Sequence, residues 1–178
     1  MELWSLTVSA QAPSVPDRAL PTLSEEERDA VIAGPPGVER DRALLVRAGL
    51  RVLLAACLGT SAEQVVVTDN RCPRCGAAHD FSAEAGEQPV HFSFVHDGDL
   101  VVYALAETAV GLGLAVQEHP GIPALRAARK KARLEANPRA LGRGRCGRPR
   151  AGGAVRSVAY ADVPTPYVVA VSKQDSPP

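Results

Sequence analysis

A four-residue turn, HDGD at positions 96–99, sits between two strongly apolar runs, residues 90–95 and 100–106. Glycine near the tip of so short a connection lets the chain reverse within two residues, so the pair reads as a β-hairpin. A third apolar run, about 109–116, follows too closely for a helix to intervene. Three successive strands of this kind demand a sheet with at least one covered face, and something upstream or downstream must cover it.

The covering elements are legible on both sides. LSEEER (23–28) carries a capping-box pattern, with Ser24 as cap and Glu27 reaching back, and GPPG (34–37) ends the short helix it opens. From Val38 to Leu58 apolar residues recur at helical spacing (Leu44, Leu45, Ala48, Val52, Ala55, Ala56), and Gly59 is placed to end the helix. Residues 2–9 read as an opening strand followed by a proline-bearing loop. QVVVT (64–68) reads as another strand, before a loop holding two cysteines. Downstream, 125–136 predicts a basic helix. Residues 137–153, rich in Gly, Arg and Pro, predict a flexible loop, and VRSVAY (155–160) and YVVAVS (167–172) predict closing strands. The order strand, helix, strands recurs loosely on either side of residue 107. The fold class expected is α+β, with an N-terminal α/β half over 1–107 and a C-terminal one over 108–178.

Formal net charge is zero, yet ten Lys/Arg (126, 129, 130, 131, 133, 139, 143, 145, 148, 150) fall between Leu125 and Arg150 against one acid, Glu135. Such a block is either a solvated face or a docking surface for an acidic partner. It lacks the interleaved aromatics and the motifs of nucleic-acid binders, so no nucleic-acid partner is expected. No apolar run reaches membrane-spanning length, and MELWSLTVSA carries an early acid and no basic leader. A cytoplasmic protein with reduced thiols and no membrane partner is expected. Cys72 and Cys75, with His79 close by, have half the spacing of a zinc knuckle. Closure would need His91 or Cys146, so a plain loop with two thiols is the simpler reading.

Several segments in their order resemble the surfactin-type 4'-phosphopantetheinyl transferases. These are LSEEERDAV, LLVRAGLRVLLAACLG, CPRCGAAH, HFSFVHDGDLVVYALA, AVGLGLAVQ, ARKKARLEA and PYVVAVS. The resemblance implies a pseudo-dimer of two α/β halves with a cleft between them. It implies Arg47, Arg51 and His96 as contacts for coenzyme A, and the basic helix (Arg126, Arg129, Lys130, Arg133) as a site for an acyl or peptidyl carrier protein.

The same resemblance exposes what the chain lacks. The family strand places Asp and Glu two residues apart to hold Mg²⁺. Those positions are Gly113 and Ala115 here, or Ala115 and Gln117 with a two-residue slip. The helix position that carries a glutamate in the family is Lys131, and the lysine four residues later is Glu135. The serine before the turn histidine is Val95, and a Gly-Lys-Pro segment is replaced by Asp80, Phe81 and Ser82. Mg²⁺ requires oxygen ligands, carboxylates above all, so no Mg²⁺ is expected, and coenzyme A only as a vestigial ligand.

Gly and Ala in place of acids imply a cleft of small apolar surface, lined by Val95, Tyr103, Gly113 and Ala115 and suited to a polyketide-like molecule. One reading is a metal-independent tailoring enzyme, a cyclase or dehydratase in polyketide or non-ribosomal peptide biosynthesis. In it His96 acts as acid/base, aided by Lys131 and Gln117. A second is a non-catalytic binder of a carrier protein or coenzyme A. A third is a weak transferase that uses Glu107, Glu118 or Glu135.

Overall fold

The computed structural model describes residues 1–11, 15–71, 78–84, 89–117, 121–140, 155–161 and 166–174. In chain order the strands and α-helices are β1 (Glu2–Thr7), α1 (Val15–Ala19), α2 (Glu25–Ile32), α3 (Val38–Leu58), β2 (Val66–Arg71), β3 (Ala78–Glu84), β4 (Val90–Asp97), β5 (Leu100–Ala106), β6 (Val110–Val116), α4 (Ile122–Ala140), β7 (Val155–Ala161) and β8 (Tyr167–Gln174). The protein is α+β. Its strands form a five-stranded sheet, ordered β1-β5-β4-β3-β2, and a three-stranded sheet, β6-β8-β7, with antiparallel pairing throughout.

The hairpin organises the first sheet. β4 and β5 pair from His91↔Ala106 to Asp97↔Leu100, leaving Gly98 and Asp99 as the two-residue turn. Gly98 has φ 52°, the left-handed value that these tight turns require at their first position. Asp99 then anchors the turn to the N-terminal segment. Its carboxylate accepts from the Ser9 amide at 2.6 Å and from the Ser9 hydroxyl, and its carbonyl accepts from Val8 N at 2.9 Å. These donors favour the ionised carboxylate and hold its pKa below the usual value.

β5 is buried along its whole length, so it has a core on each face. On one face Val101, Tyr103 and Leu105 meet Val46, Leu50 and Leu54 of α3, together with Phe92 of β4. On the other, Val102, Ala104 and Ala106 meet Leu112 and Leu114 of β6 and Val169 and Val171 of β8. The second sheet's outer face is closed by α4, where Ala128 and Ala132 lie on Ala115, Val168 and Ala170. The layers therefore run α3, first sheet, second sheet, α4. One polar bond ties the sheets together: Leu112 N donates to the buried Ser93 hydroxyl of β4 at 3.2 Å.

Helix α2 forms behind the expected capping box. The Glu27 amide donates to Ser24 Oγ at 3.3 Å, and Glu27 Oε2 accepts from Ser24 N at 3.2 Å. Helix α3 matches its expected span and stops at Gly59, but its buried arc is wider than the sequence stripe. Leu44, Leu45 and Ala48 pack on α1 and its surroundings, while Val46, Leu50 and Leu54 pack on the sheet. Two residues assigned to the stripe, Val52 and Ala56, are exposed.

Three other expectations change. Residues 78–84, expected within a loop, form β3 between β2 and β4. Residues 15–19, expected as loop, form α1. Helix α4 continues through Asn137–Pro138 to Ala140, so the first four residues of the expected loop at 137–153 are helical. The remainder of that loop, with Cys72, Cys75, Glu118 and Cys146, lies outside the described residues. No helix among the described residues is long and apolar enough to cross a membrane.

Tyr103 shows how closely α3 approaches the sheet. Its ring is 1% exposed, and its hydroxyl donates to the Val46 carbonyl at 2.9 Å. Gly49 makes room for it, because a Cβ there would lie 2.8 Å from the Tyr103 oxygen. Burial pushes the phenol well above its ordinary value of 10.0. The folded state holds the neutral phenol while the unfolded chain ionises near 10.0, so this contribution is intact below that pH and is lost as pH rises beyond it. Urea denaturation from about pH 8 to pH 11 is expected to show stability falling on the alkaline side. Tyr103→Phe should flatten that limb while losing about 1 kcal/mol at neutral pH with the hydrogen bond.

Candidate functional site

The expected cleft residues are placed by three strands, β4, β5 and β6, and together they fall on three different faces. His96 lies at the end of β4, opposite Val101, and is exposed. Strand alternation sets it on the α3 side of the first sheet, with Phe92 and Phe94. Val95 points the other way and is buried between the sheets. Tyr103 is on the α3 side, spent on Val46 and Gly49. Gly113 and Ala115 are on the far side of the second sheet. Both are buried, and Ala115, 2% exposed, packs against α4.

Thus Tyr103, Val95 and Ala115 belong to three separate cores and do not line one cleft. The reason is stacking. With both sheets between them, the α3 side of β5 cannot share a surface with the α4 side of β6. Nor is the Gly113/Ala115 face hollow. Small residues there let α4 come close, and Ala128 and Ala132 occupy the space.

The expected catalytic group is dispersed in the same way. Gln117 follows β6 and is half-buried, its amide donating to the Pro166 carbonyl at 2.7 Å. Lys131 is exposed on α4, whose inward stripe is Leu125, Ala128 and Ala132. His96 is on the opposite outer side of the molecule. The two sheets also meet at the hairpin tip, where a Cβ on Gly98 would lie 3.1 Å from the Tyr167 hydroxyl. Tyr167 pairs with Val116, the residue before Gln117. Ser82 is buried in β3, and Glu107 is exposed just after β5. Among the described residues no cluster of His, Cys, Asp and Glu is arranged to hold a metal ion.

Arg51 changes role. Expected as a coenzyme A contact, it is 3% exposed and turned inward. Its guanidinium pairs with Glu27 and donates to the carbonyls of Ala62 at 2.7 Å and Val65 at 3.1 Å. It fastens α2 and the segment after α3 to the helix, which leaves it unavailable to a ligand phosphate. Arg47, one turn earlier, is half-buried.

The basic helix is different. Arg126, Arg129, Lys130 and Lys131 are all exposed. Arg126, Arg129 and Lys130 fall on one outward stripe of α4, while the Arg133 side chain lies outside the described ones. Lys131 lies on the other flank.

A pocket of about 390 Å³, unforeseen in the sequence, opens on the α3 side between α3, β1 and the α1 region. Leu6, Leu45, Ala48 and Val52 supply apolar walls, and Arg18 and Gln11 supply polar atoms. Its one sequence signal was the apolar series Ala19, Leu20 and Leu23, which packs beneath it. No family model matches the chain, and no curated protein matches it.

Proposed function

We propose that the chain is a phosphopantetheinyl-transferase-like pseudo-dimer that has lost Mg²⁺-dependent transfer. It works in the cytoplasm, in polyketide or non-ribosomal peptide biosynthesis, as an accessory protein that binds an acidic acyl or peptidyl carrier protein through α4. The single observation that carries this reading is the contrast on the two sides of α4. Its inner side, over the described side chains, is alanine packed on Ala115 and Ala170, and among the described residues no acidic cluster is arranged to hold an ion. Its outer side presents Arg126, Arg129 and Lys130 to solvent. Cations on an exposed stripe steer an acidic partner without further machinery. The tailoring-enzyme alternative needs His96, Lys131 and Gln117 around one substrate, and their dispersal over separate surfaces weighs against it.

The test uses an apo acyl carrier protein with coenzyme A and Mg²⁺. Intact-mass analysis is expected to show no added phosphopantetheine arm, while titration calorimetry shows binding that weakens with salt. Arg126→Glu with Lys130→Glu is expected to weaken that binding roughly tenfold with the fold retained, since both positions are exposed. Transfer of the arm, or binding indifferent to both charge reversal and salt, would overturn the proposal.

A further inference from the structure

We infer that the pocket on the α3 side is a binding site for a medium-chain carboxylate, its chain in the apolar interior and its head group on Arg18. The site is independent of the α4 surface and lies on the opposite side of the sandwich.

The pocket's volume comes from small side chains where a larger core residue would have filled the space. Ala19 and Ala48, both lining it, are buried at 8% and 5% exposure. At about 390 Å³ the space is within the range of small-ligand sites and large enough for a medium-length aliphatic chain. Leu6 and Leu45 give the walls dispersion contacts and no competing hydrogen bonds.

Polar groups are few, and two of the three are already engaged within the protein. The Thr22 hydroxyl already donates to the Ala19 carbonyl at 2.7 Å, and Gln11 Nε2 donates to the Thr7 carbonyl at 3.1 Å. Arg18 is the lining cation, exposed, and no carboxylate among the described residues pairs with it. Arg42 and Arg51, by contrast, each have one. An open apolar groove whose lining guanidinium has no carboxylate partner among the described residues selects an anionic head on an aliphatic tail.

The chain carries its own reporter. Trp4, its one tryptophan, is half-exposed on β1 two residues before Leu6, and so on the same face of the strand. Titration of the full chain with sodium decanoate is expected to change Trp4 fluorescence saturably, with calorimetry giving the same midpoint. Decanol and decylamine are expected to bind more weakly. Arg18→Gln should weaken decanoate about fivefold and leave decanol unchanged. Val52→Glu, at an exposed rim position, should weaken decanoate in the same direction. Absence of saturation, decylamine binding as tightly as decanoate, or an Arg18→Gln variant that binds decanoate like the parent would each overturn the assignment. None of these outcomes bears on carrier-protein docking at α4, so the two proposals fail separately.

Discussion

Arg51→Leu is expected to destabilise the fold by about 3–5 kcal/mol, the range for breaking one side of a buried ion pair. The guanidinium is 3% exposed and serves three acceptors at once: Glu27 on α2 and the carbonyls of Ala62 and Val65 beyond α3. Leucine keeps the apolar stem and removes every donor. The two carbonyls are then left in a site without a replacement donor, and the Glu27 carboxylate must find solvent or lose its charge. Glu27 also accepts from Ser24 N in the capping box, so the loss extends into the start of α2. Urea denaturation should show a lower midpoint at an unchanged slope, as expected when contacts are lost without a change in exposed area. Adding Glu27→Leu should recover part of the loss, because the orphaned charge goes while the carbonyls remain unsatisfied. An Arg51→Leu variant as stable as the parent would remove the structural role assigned to this residue and return it to the pool of ligand-binding candidates.

The case of Arg51 shows what the sequence could and could not convey. Helix α3 and the β4–β5 hairpin were legible because their signals are local: helical spacing with a terminal Gly59, and apolar runs around Gly98. Arg51 was not, because its partner is 24 residues away on another helix. On a helical wheel it is only a cation one turn after Arg47. Tyr103 failed for a different reason. LVVYALA is buried on both faces, so it has no alternation from which to tell which side faces a given layer. Only the pairing with β1 and β4, and Gly49 above the ring, decide it. Strand β3, AHDFSAE, combines polar and small residues without a clean period of two, and its place between two neighbours comes from the sheet rather than from its own composition. The pocket was hidden because Ala48 fits the apolar stripe of α3, and only the placement of β1 and α1 around it shows that the space beside Ala19 and Ala48 stays open.

Ala115→Glu, which restores a carboxylate at the position where the resembling family carries one, is expected to destabilise the protein by about 3–5 kcal/mol, as an uncompensated buried charge does. It should not create a Mg²⁺ site. Ala115 is 2% exposed, and the apolar residues packed with it are Ala128, Ala132, Val168 and Ala170, with Leu125 beside them. A glutamate there has neither donor nor cation within that contact set, and its extra volume must push α4 off the sheet. Burial favours the neutral carboxyl, so the folded-state pKa of the new group lies above the unfolded value of about 4.3. The part of the deficit due to charge is then small below that value and grows as pH rises through it, while the overpacking part stays at every pH, which thermal melts near pH 4 and pH 7 can separate. The Gly113→Asp, Ala115→Glu double variant is expected to be less stable still, and no better at loading a carrier protein. A double variant that folds normally, gains thermal stability on adding Mg²⁺ and transfers the phosphopantetheine arm would mean that α4 does not close this face. The proposed loss of transfer would then rest on two side chains alone, not on the packing of α4 against this face.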